Sequence, residues 1–340
     1  MATDNAYRRL TPSPDDCRLL RSLLNAQETF VSGSQLAEEL GVSRPAVWGK
    51  LKKLKEAGFE IQAVRSRGYQ LSQLPNVLHP ALLQMAAEDC ALGMECLYFP
   101  VIDSTNSEAE RQIANGRAGP FAILSSCQTK GRGRLGREWF SASADNLYLT
   151  VTYEPRHPPQ LLEHFTLWCG IYLCRYLRKI LPEANLKIKW PNDLFCEGLK
   201  FAGMLTEAKL DSDGVKTLSF GLGLNVNGNP IKYPREIRQC ATSLQAISGI
   251  ELPINTVAVQ AMQAVEAAYK YCIQNPNTKS LAKAWESLDI LRGREITVEQ
   301  DGQPITGIAR GIDSSGALRL EKSDGSQLAI RAGDVTLTKF

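Results

Sequence analysis

The sequence is poor in the residues that several common chemistries need. Histidine occurs only as His79, His157 and His164, and none has a cysteine or a second histidine at the short spacing of a zinc cage. The nine cysteines form no Cys-x-x-Cys pair, and an odd number does not suit a complete disulfide framework. Reduced thiols in a cytosolic setting are expected instead. No Gly-x-Ser-x-Gly elbow is present to place a hydrolytic serine. The chain has no run of 18 apolar residues, and its polar opening, Met-Ala-Thr-Asp-Asn, is not a secretory leader. A cytoplasmic protein without membrane contact is the expectation. Nor is one sign of charge in large excess: the formal net charge of +3 does not by itself mark a nucleic-acid binder, so position matters more than total.

What is present falls into three stretches, and 340 residues leave room for two or three domains. In the first, residues 1–75, Leu19, Leu20, Leu23 and Leu24 share a helical face from Pro14 to Asn25, with Ser13 as N-cap. A second helix from about Ser34 to Leu40 stops at Gly41. Ser43 can cap a third, with Pro45 in its first turn, that runs to Ala57. Helix, glycine turn, helix over about 33–52 is the helix-turn-helix pattern. From 44 to 67 seven cations, Arg44, Lys50, Lys52, Lys53, Lys55, Arg65 and Arg67, face only Glu56 and Glu60. Two short strands around Arg65-Ser66-Arg67-Gly68 form a wing, so Arg44, Lys50, Lys52, Lys53, Arg65 and Arg67 are the expected DNA contacts. The plainer alternative, a lysine-rich solvated helix face, leaves the wing unexplained. Residues 74–80, with two prolines and no periodicity, read as a linker.

The second stretch, 81–285, is organised around Gln128–Trp139. Lys130, Arg132, Arg134 and Arg137 alternate there with Gly131, Gly133 and Gly136. The glycines satisfy Gly-x-Gly-x-x-Gly, yet the residues that follow, 146–153, alternate with period two and predict a strand. No helix dipole is then aimed at a pyrophosphate, and a dinucleotide fold is excluded. Such a loop must bind an anion by itself, through close backbone approach and forked guanidinium donors; the alternative is a mobile basic loop. A strand at Leu97–Ile102 delivers Asp103, Ser104, Thr105 and Asn106 at its end, and Thr105 with Glu108 reads as a capping box. Leu161–Leu181 reads as one amphipathic helix whose Trp168, Cys169 and Cys174 are core residues. A strand at Leu186–Trp190 is halted by Pro191, with Asn192 and Asp193 at its mouth. Turns at Glu197-Gly198 and Asp211–Gly214 bring Lys200, Gly203 and Gly221–Asn225 to the same edge of a mostly antiparallel sheet.

The third stretch, 290–340, reads as five short strands with turns at Asp301-Gly302 and Asp324-Gly325, closing as a small barrel. It offers no catalytic residue, so scaffold or partner contact is its expected use.

Ser104-Thr-Asn106, Gly131-Arg-Gly-Arg-Leu-Gly-Arg137 with Trp139, Lys189-Trp-Pro-Asn-Asp193, Lys200-Phe-Ala-Gly203 and Gly221-Leu-Gly-Leu-Asn225 stand in an order and spacing that resemble the biotin protein ligases, specifically the bifunctional ligases that are also repressors. The resemblance covers essentially the whole chain. It implies an α+β protein with an N-terminal winged helix-turn-helix, a central mixed-sheet domain of the biotin/lipoate ligase type and an SH3-like C-terminal domain. It implies that biotin or biotinyl-AMP is held by Ser104, Thr105, Asn106, Gln128, Gly131, Arg132, Gly133, Arg134, Lys200 and Gly203, with Lys200, Arg132 and Arg134 catalytic. ATP would be met by Arg134, Arg137, Trp139, Asn192, Asp193 and Asn225, with Asp193 as the link to Mg²⁺. The acceptor implied is a lysine of the biotin carboxyl carrier protein of acetyl-CoA carboxylase, and the adenylate-bound homodimer would bind operator DNA. One departure is Leu135, where a third loop arginine is common. A lipoate or octanoate ligase shares the catalytic fold, but the winged helix, the loop and the C-terminal domain weigh toward biotin. A non-catalytic regulator sensing a small acid would bind its ligand without releasing pyrophosphate.

Overall fold

Three serines set the starts of the N-terminal helices. The computed structural model describes residues 7–26, 29–142, 144–276, 280–300 and 303–337. It places α1 at Pro14–Asn25, α2 at Gly33–Leu40 and α3 at Arg44–Glu56, and the hydroxyls of Ser13, Ser32 and Ser43 accept from the N–H groups of Asp16, Gln35 and Ala46. Gly41 ends α2 in the left-handed region (φ +65°) and α3 opens with Pro45 in its first turn. Strands β1 (Glu60–Val64) and β2 (Gly68–Gln73) pair antiparallel as a hairpin, whose tip holds Arg65, Ser66 and Arg67. Gly68 is required there. Its φ is +114°, and a Cβ would lie 2.1 Å from the Val31 carbonyl oxygen, where Val31 and Tyr69 exchange both backbone hydrogen bonds at 2.8 Å. Leu19, Leu20, Leu36, Val47, Leu51 and Phe59 bury one core beneath this winged helix-turn-helix.

Helix α4 (Pro80–Asp89) belongs to two cores at once: Ala81, Leu82 and Met85 pack into the winged domain, while Leu83 and Ala87 join the central core. The preceding linker is fixed by Asn255, whose side chain accepts from the His79 N–H (2.9 Å) and donates to the Val77 carbonyl (2.9 Å). A second tie runs along the sheet edge, where the Leu10 N–H donates to the Tyr98 carbonyl (2.9 Å) and Arg9 pairs with Glu95.

The central domain runs β3 (Glu95–Ile102), α5 (Thr105–Ala114), β4 (Phe121–Gln128), β5 (Leu147–Tyr153), α6 (Phe165–Leu177), β6 (Leu186–Lys189), β7 (Asp193–Cys196), β8 (Leu199–Asp211), β9 (Gly214–Leu224), α7 (Arg235–Arg238), α8 (Leu244–Ser248), α9 (Ile254–Gln274) and α10 (Leu281–Glu286). Its seven-stranded sheet has the order β3-β4-β5-β9-β8-β7-β6, and only β3 and β4 are parallel. Alternation along each strand separates two faces. Ala122, Leu124, Leu149, Val151, Leu222 and Leu224 point into the core with α6 and α9, while Phe121 and Ile123 point to the other face, where α5 packs. From Leu205 onward β8 pairs with β9 alone among the described strands.

Three expectations are revised. Ser104, not Thr105, occupies the N-cap of α5; Thr105 directs both its N–H (2.8 Å) and its hydroxyl (3.1 Å) to Gln128 Oε1, and Glu108 binds Arg111 instead of capping. The long helix expected over Leu161–Leu181 is shorter, because Pro159–Leu161 forms a separate 3₁₀ turn and Pro182 disfavours helical backbone just before it. The C-terminal strands β10 (Glu295–Gln300), β11 (Gln303–Ile312), β12 (Leu318–Glu321), β13 (Gln327–Ile330) and β14 (Asp334–Leu337) form an antiparallel sheet in the order β13-β12-β11-β10-β14. Among the described residues no ladder joins β13 to β14, so hydrogen bonding does not close the expected barrel. The Asp301-Gly302 turn lies outside the described residues; at the other, the Gly325 N–H donates to the Lys322 carbonyl (3.0 Å).

Candidate active site

The face of the central sheet that carries α5 also carries a run of missing side chains. On β8 and β9, Ala202, Met204, Leu222 and Leu224 turn into the core, so the alternate residues Gly203, Gly221 and Gly223 turn outward, and Gly203 and Gly223 are register partners. The indole of Trp139 lies flat on this pair: a Cβ on Gly223 would stand 2.3 Å from its ring, and one on Gly203 2.8 Å. A Cβ on Gly221 would stand 2.3 Å from Asn106 Oδ1. The glycines let a large ring and a polar amide approach the strand backbone.

Over this floor lies a cleft of about 780 Å³, counted with the solvent at its mouth. Ser104, Thr105, Asn106, Gln128, Arg132, Gly133, Arg134, Arg137, Trp139, Asn192, Asp193, Lys200 and Gly203 all line it, together with Asp334 from the C-terminal sheet. Two expected residues do not. Gly131 is buried behind the wall, where a Cβ would collide with the Trp139 carbonyl oxygen at 2.4 Å. Asn225 lines a neighbouring cavity with Phe140, Tyr233, Ile237 and Cys240, reached past Trp139 and Lys200; its amide donates to the Thr242 carbonyl (2.9 Å).

At the closed end, buried polar groups form a chain. The Thr150 hydroxyl donates to Asn106 Oδ1 (2.7 Å) and lies 2.9 Å from the Thr105 hydroxyl. Asn106 Nδ2 donates to Glu207 (2.7 Å), and Glu207 in turn binds Arg132 (2.6 Å). Thr150 and Glu207 escape sequence reading because they sit mid-strand, where period-two alternation gives a face but no ligand. The glycine-arginine loop bends through a 3₁₀ turn at Arg134–Gly136, with Leu135 at φ +56° and 75% exposed.

Most cations of the site are already paired. Lys200 Nζ binds Asp193 Oδ1 at 2.7 Å and stands 5.2 Å from the Trp139 ring centroid. Arg132 binds Glu110 and Glu207, and Arg137 binds Asp334. Burial pushes Asp334 up, but Arg137 outweighs it and the carboxyl stays below its ordinary value. Arg134 is different. It bonds only the neutral Asn192 Oδ1 (3.2 Å), has no carboxylate within ion-pair reach among the described residues, and burial lowers its pKa. A half-buried guanidinium without an acid is a receptor for an anion. Among the described residues no three acidic, cysteine or histidine groups cluster as a metal site; Asp193 is a single carboxylate, which fits only an ion carried largely by ligand phosphates.

In the N-terminal domain Arg44, Lys52, Lys53, Arg65 and Arg67 are exposed, and the Arg67 guanidinium lies 4.3 Å from the Phe30 ring centroid. Lys50 turns inward to Asp16 (3.1 Å) and Asp15 (3.4 Å). Sequence reading passed over Trp48, which is 59% exposed one helical turn from both Arg44 and Lys52. No helix among the described residues is long and apolar enough to cross a membrane.

Comparison with known proteins agrees with this geometry. Family models match in three places: an HTH domain at 18–70, the biotin/lipoate A/B protein ligase family at 98–225 and the biotin protein ligase C-terminal domain at 292–337. The chain is 29% identical over 319 residues to the bifunctional ligase/repressor BirA of Bacillus subtilis, covering 94% of this chain and 97% of that one. The biotin protein ligase of Aquifex aeolicus, solved in complex with biotin and ATP, superposes with a TM-score of 0.61 at 27% identity, covering 72% of this chain and 99% of that one. Over 320 residues 32% are identical to BirA of Escherichia coli, 94% of this chain against 96% of the other, so the chain belongs to the biotin protein ligase family, in its bifunctional ligase/repressor group.

Proposed function

We propose that the cleft over Gly203, Gly221 and Gly223 activates biotin with ATP to biotinyl-AMP and then passes the biotinyl group to a lysine of a carboxyl carrier protein. The observation that carries this assignment of residues is Arg134, a half-buried cation in the cleft wall that bonds only a neutral amide and pairs with none of the cleft's carboxylates. Ser104, Thr105, Asn106 and Gln128 hold the polar head of biotin, Trp139 and Asn225 receive the adenine side, and Arg134, Lys200 and Arg132 meet the reacting anions.

The chemistry brings a carboxylate against the α-phosphate of ATP, so charge repulsion is the main obstacle. Fixed donors answer it, and one such donor is worth on the order of 3 kcal/mol in a transition state. Before ligand arrives, Asp193, Glu207 and Asp334 pair with Lys200, Arg132 and Arg137 and hold these cations at the cleft. The substrates' anions take over that role, leaving the cations to act on them. Mg²⁺ carried by the triphosphate, with Asp193 as its protein carboxylate, would offset charge and help pyrophosphate leave. No proton moves in the first step and no covalent enzyme intermediate is needed.

The winged domain gives the second half of the function. Exposed Arg44, Lys52, Lys53, Arg65 and Arg67 supply phosphate contacts, and Trp48 offers an apolar surface to base edges. The adenylate-bound homodimer would bind paired operator half-sites, in a cytoplasmic setting. The deciding experiment incubates the protein with ATP and biotin, lipoate or octanoate, and follows pyrophosphate release and label on a carrier domain. Biotin alone should support both steps; equal turnover with lipoate would overturn the assignment.

A further inference from the structure

The outer face of α3 divides into two halves. Between Arg44 and Lys50 the helix carries Pro45, Ala46, Val47, Trp48 and Gly49, with no amide, hydroxyl, carboxylate or charged side chain. Val47 is buried in the winged-domain core, so the outward residues of this half are Pro45, Ala46 and Trp48, all exposed. Lys50 does not extend the face, because it turns inward to Asp15 and Asp16. The second half is cationic, with Lys52, Lys53 and Lys55 exposed. Trp48 stands between the halves, 59% exposed, with Lys52 Nζ 5.9 Å from its ring centroid.

Gly49 adds a second observation. Glycine weakens a helix interior, and among the described residues nothing lies within 4 Å of the place its Cβ would take. Packing within the chain gives it no reason; the close approach of a partner does. Charge says which partner. Trp48 lies one turn from Arg44 on one side and from Lys52 on the other, in a domain whose wing tip adds exposed Arg65 and Arg67. A second copy of the chain would bring like charges together there. A DNA duplex supplies phosphates for the cations and base edges for the apolar half. Of the four bases, thymine presents a methyl group beside its O4 acceptor in the major groove, which suits an indole with an apolar ring and one N–H donor.

We propose that Trp48 determines which sequence the winged domain reads, by apolar contact with thymine methyl groups in each operator half-site. Pro45 and Ala46 widen the contact, and Gly49 lets the helix backbone come close to the groove. Arg44, Lys52, Lys53, Arg65 and Arg67 fix the position on phosphates and carry no choice of base. The proposal rests on the operator-binding reading of this domain and adds what the domain recognises.

The test uses the full chain with biotin and ATP to select half-sites from a randomised duplex pool. The selected duplex is then compared with a copy in which uracil replaces thymine, which removes the methyl groups and keeps every base pair. For the unsubstituted protein, Kd should rise about fourfold for each methyl group that had been buried. Trp48→Ala should bind the thymine duplex about tenfold more weakly and bind the two duplexes within about twofold of each other, with its salt dependence unchanged. Arg65→Ala should weaken binding to both, keep the thymine preference and flatten the salt dependence. Equal affinity of the unsubstituted protein for the two duplexes would overturn the proposal, and so would a thymine preference that survives in Trp48→Ala. A Trp48→Ala protein that dimerises more weakly in the absence of DNA, yet still prefers thymine, would make the patch an interface between copies. Failure to select any sequence at all would instead refute operator binding itself and is read separately.

Discussion

In the proposed ligase reading, Gly221 and Gly223 divide the cleft between biotin and ATP at the level of single atoms. A methyl group on Gly223 meets Trp139, whereas one on Gly221 meets Asn106 Oδ1, in each case at 2.3 Å. Neither neighbour can retreat cheaply: Trp139 also bears on Gly203, and Asn106 is held by Thr150 and Glu207. Gly223→Ala should therefore weaken ATP binding on the order of tenfold or more with little change for biotin, and Gly221→Ala should do the reverse. Isothermal titration with each ligand separates the two; parallel losses of both ligands in both variants would show that the wall is not partitioned. The spacing of these glycines was legible in the sequence, but their purpose was not. It depends on the odd-numbered residues of β8 and β9 facing the loop, and only the register of Gly203 with Gly223 fixes that. Gly131 shows the opposite case: a residue in the middle of the loop motif that the fold turns away from the ligand and into its own support.

At the scale of elements, the helices and strands with strong local signals stand where the sequence puts them: serine caps for α1 and α3, a glycine stop for α2, period-two alternation for β5 and the C-terminal strands. What was not legible arises from contacts distant in sequence. Thr105 stands one residue inside the helix, where its N–H and hydroxyl both donate to Gln128 on the neighbouring strand. Residues 74–80 read as a plain linker, yet they are seated by Asn255 of α9. His79, at the end of that segment, meets the Phe59 ring edge-on with centroids 4.9 Å apart, and its Nδ1 is buried without a partner. Burial pushes the imidazole down to about 4, against a weak opposing pull from Asp16. The sign follows from proton linkage: between pH 6.5 and 4 the unfolded chain binds a proton that the folded one refuses, so stability falls as pH falls through that window. For a group that is not wholly buried the loss should be about 2 kcal/mol. Urea unfolding at pH 7 and pH 4.5 should show a smaller acid-induced loss for His79→Leu than for the unsubstituted protein, by that amount. Equal losses would mean that the histidine is solvated in the folded state.

For the whole molecule, the question is how an occupied ligase site reaches the DNA. Among the ties that join the winged domain to the central one are the shared helix α4, the seat of residues 75–79 on Asn255 and the edge contact of Leu10 with Tyr98. The same sheet also leaves an opening for a second copy, because beyond Leu205 the outer edge of β8 has no strand partner among the described residues. A long strand with one free edge tends to be blunted or used. Here its tip carries Leu210 at 62% exposure, while its inner part carries Glu207, which binds Arg132 of the ligand loop. In the proposed reading, an adenylate that engaged Arg132 would leave Glu207 held by Asn106 alone, and the strand that bears it would carry an unpaired carboxylate where a partner strand would pair. In the proposed homodimer, adenylate binding and dimerisation would then be linked reciprocally. Leu210→Asp should leave pyrophosphate release within about twofold, since the residue lies outside the cleft, but should raise the dimer dissociation constant of the adenylate-bound protein by about tenfold or more, and with it the protein concentration needed to fill paired operator half-sites. Sedimentation equilibrium with and without biotin plus ATP measures the first effect and a mobility shift on operator DNA the second. A variant that still dimerises at the unsubstituted protein's concentration would place the interface elsewhere and leave the free edge of β8 without a role in repression.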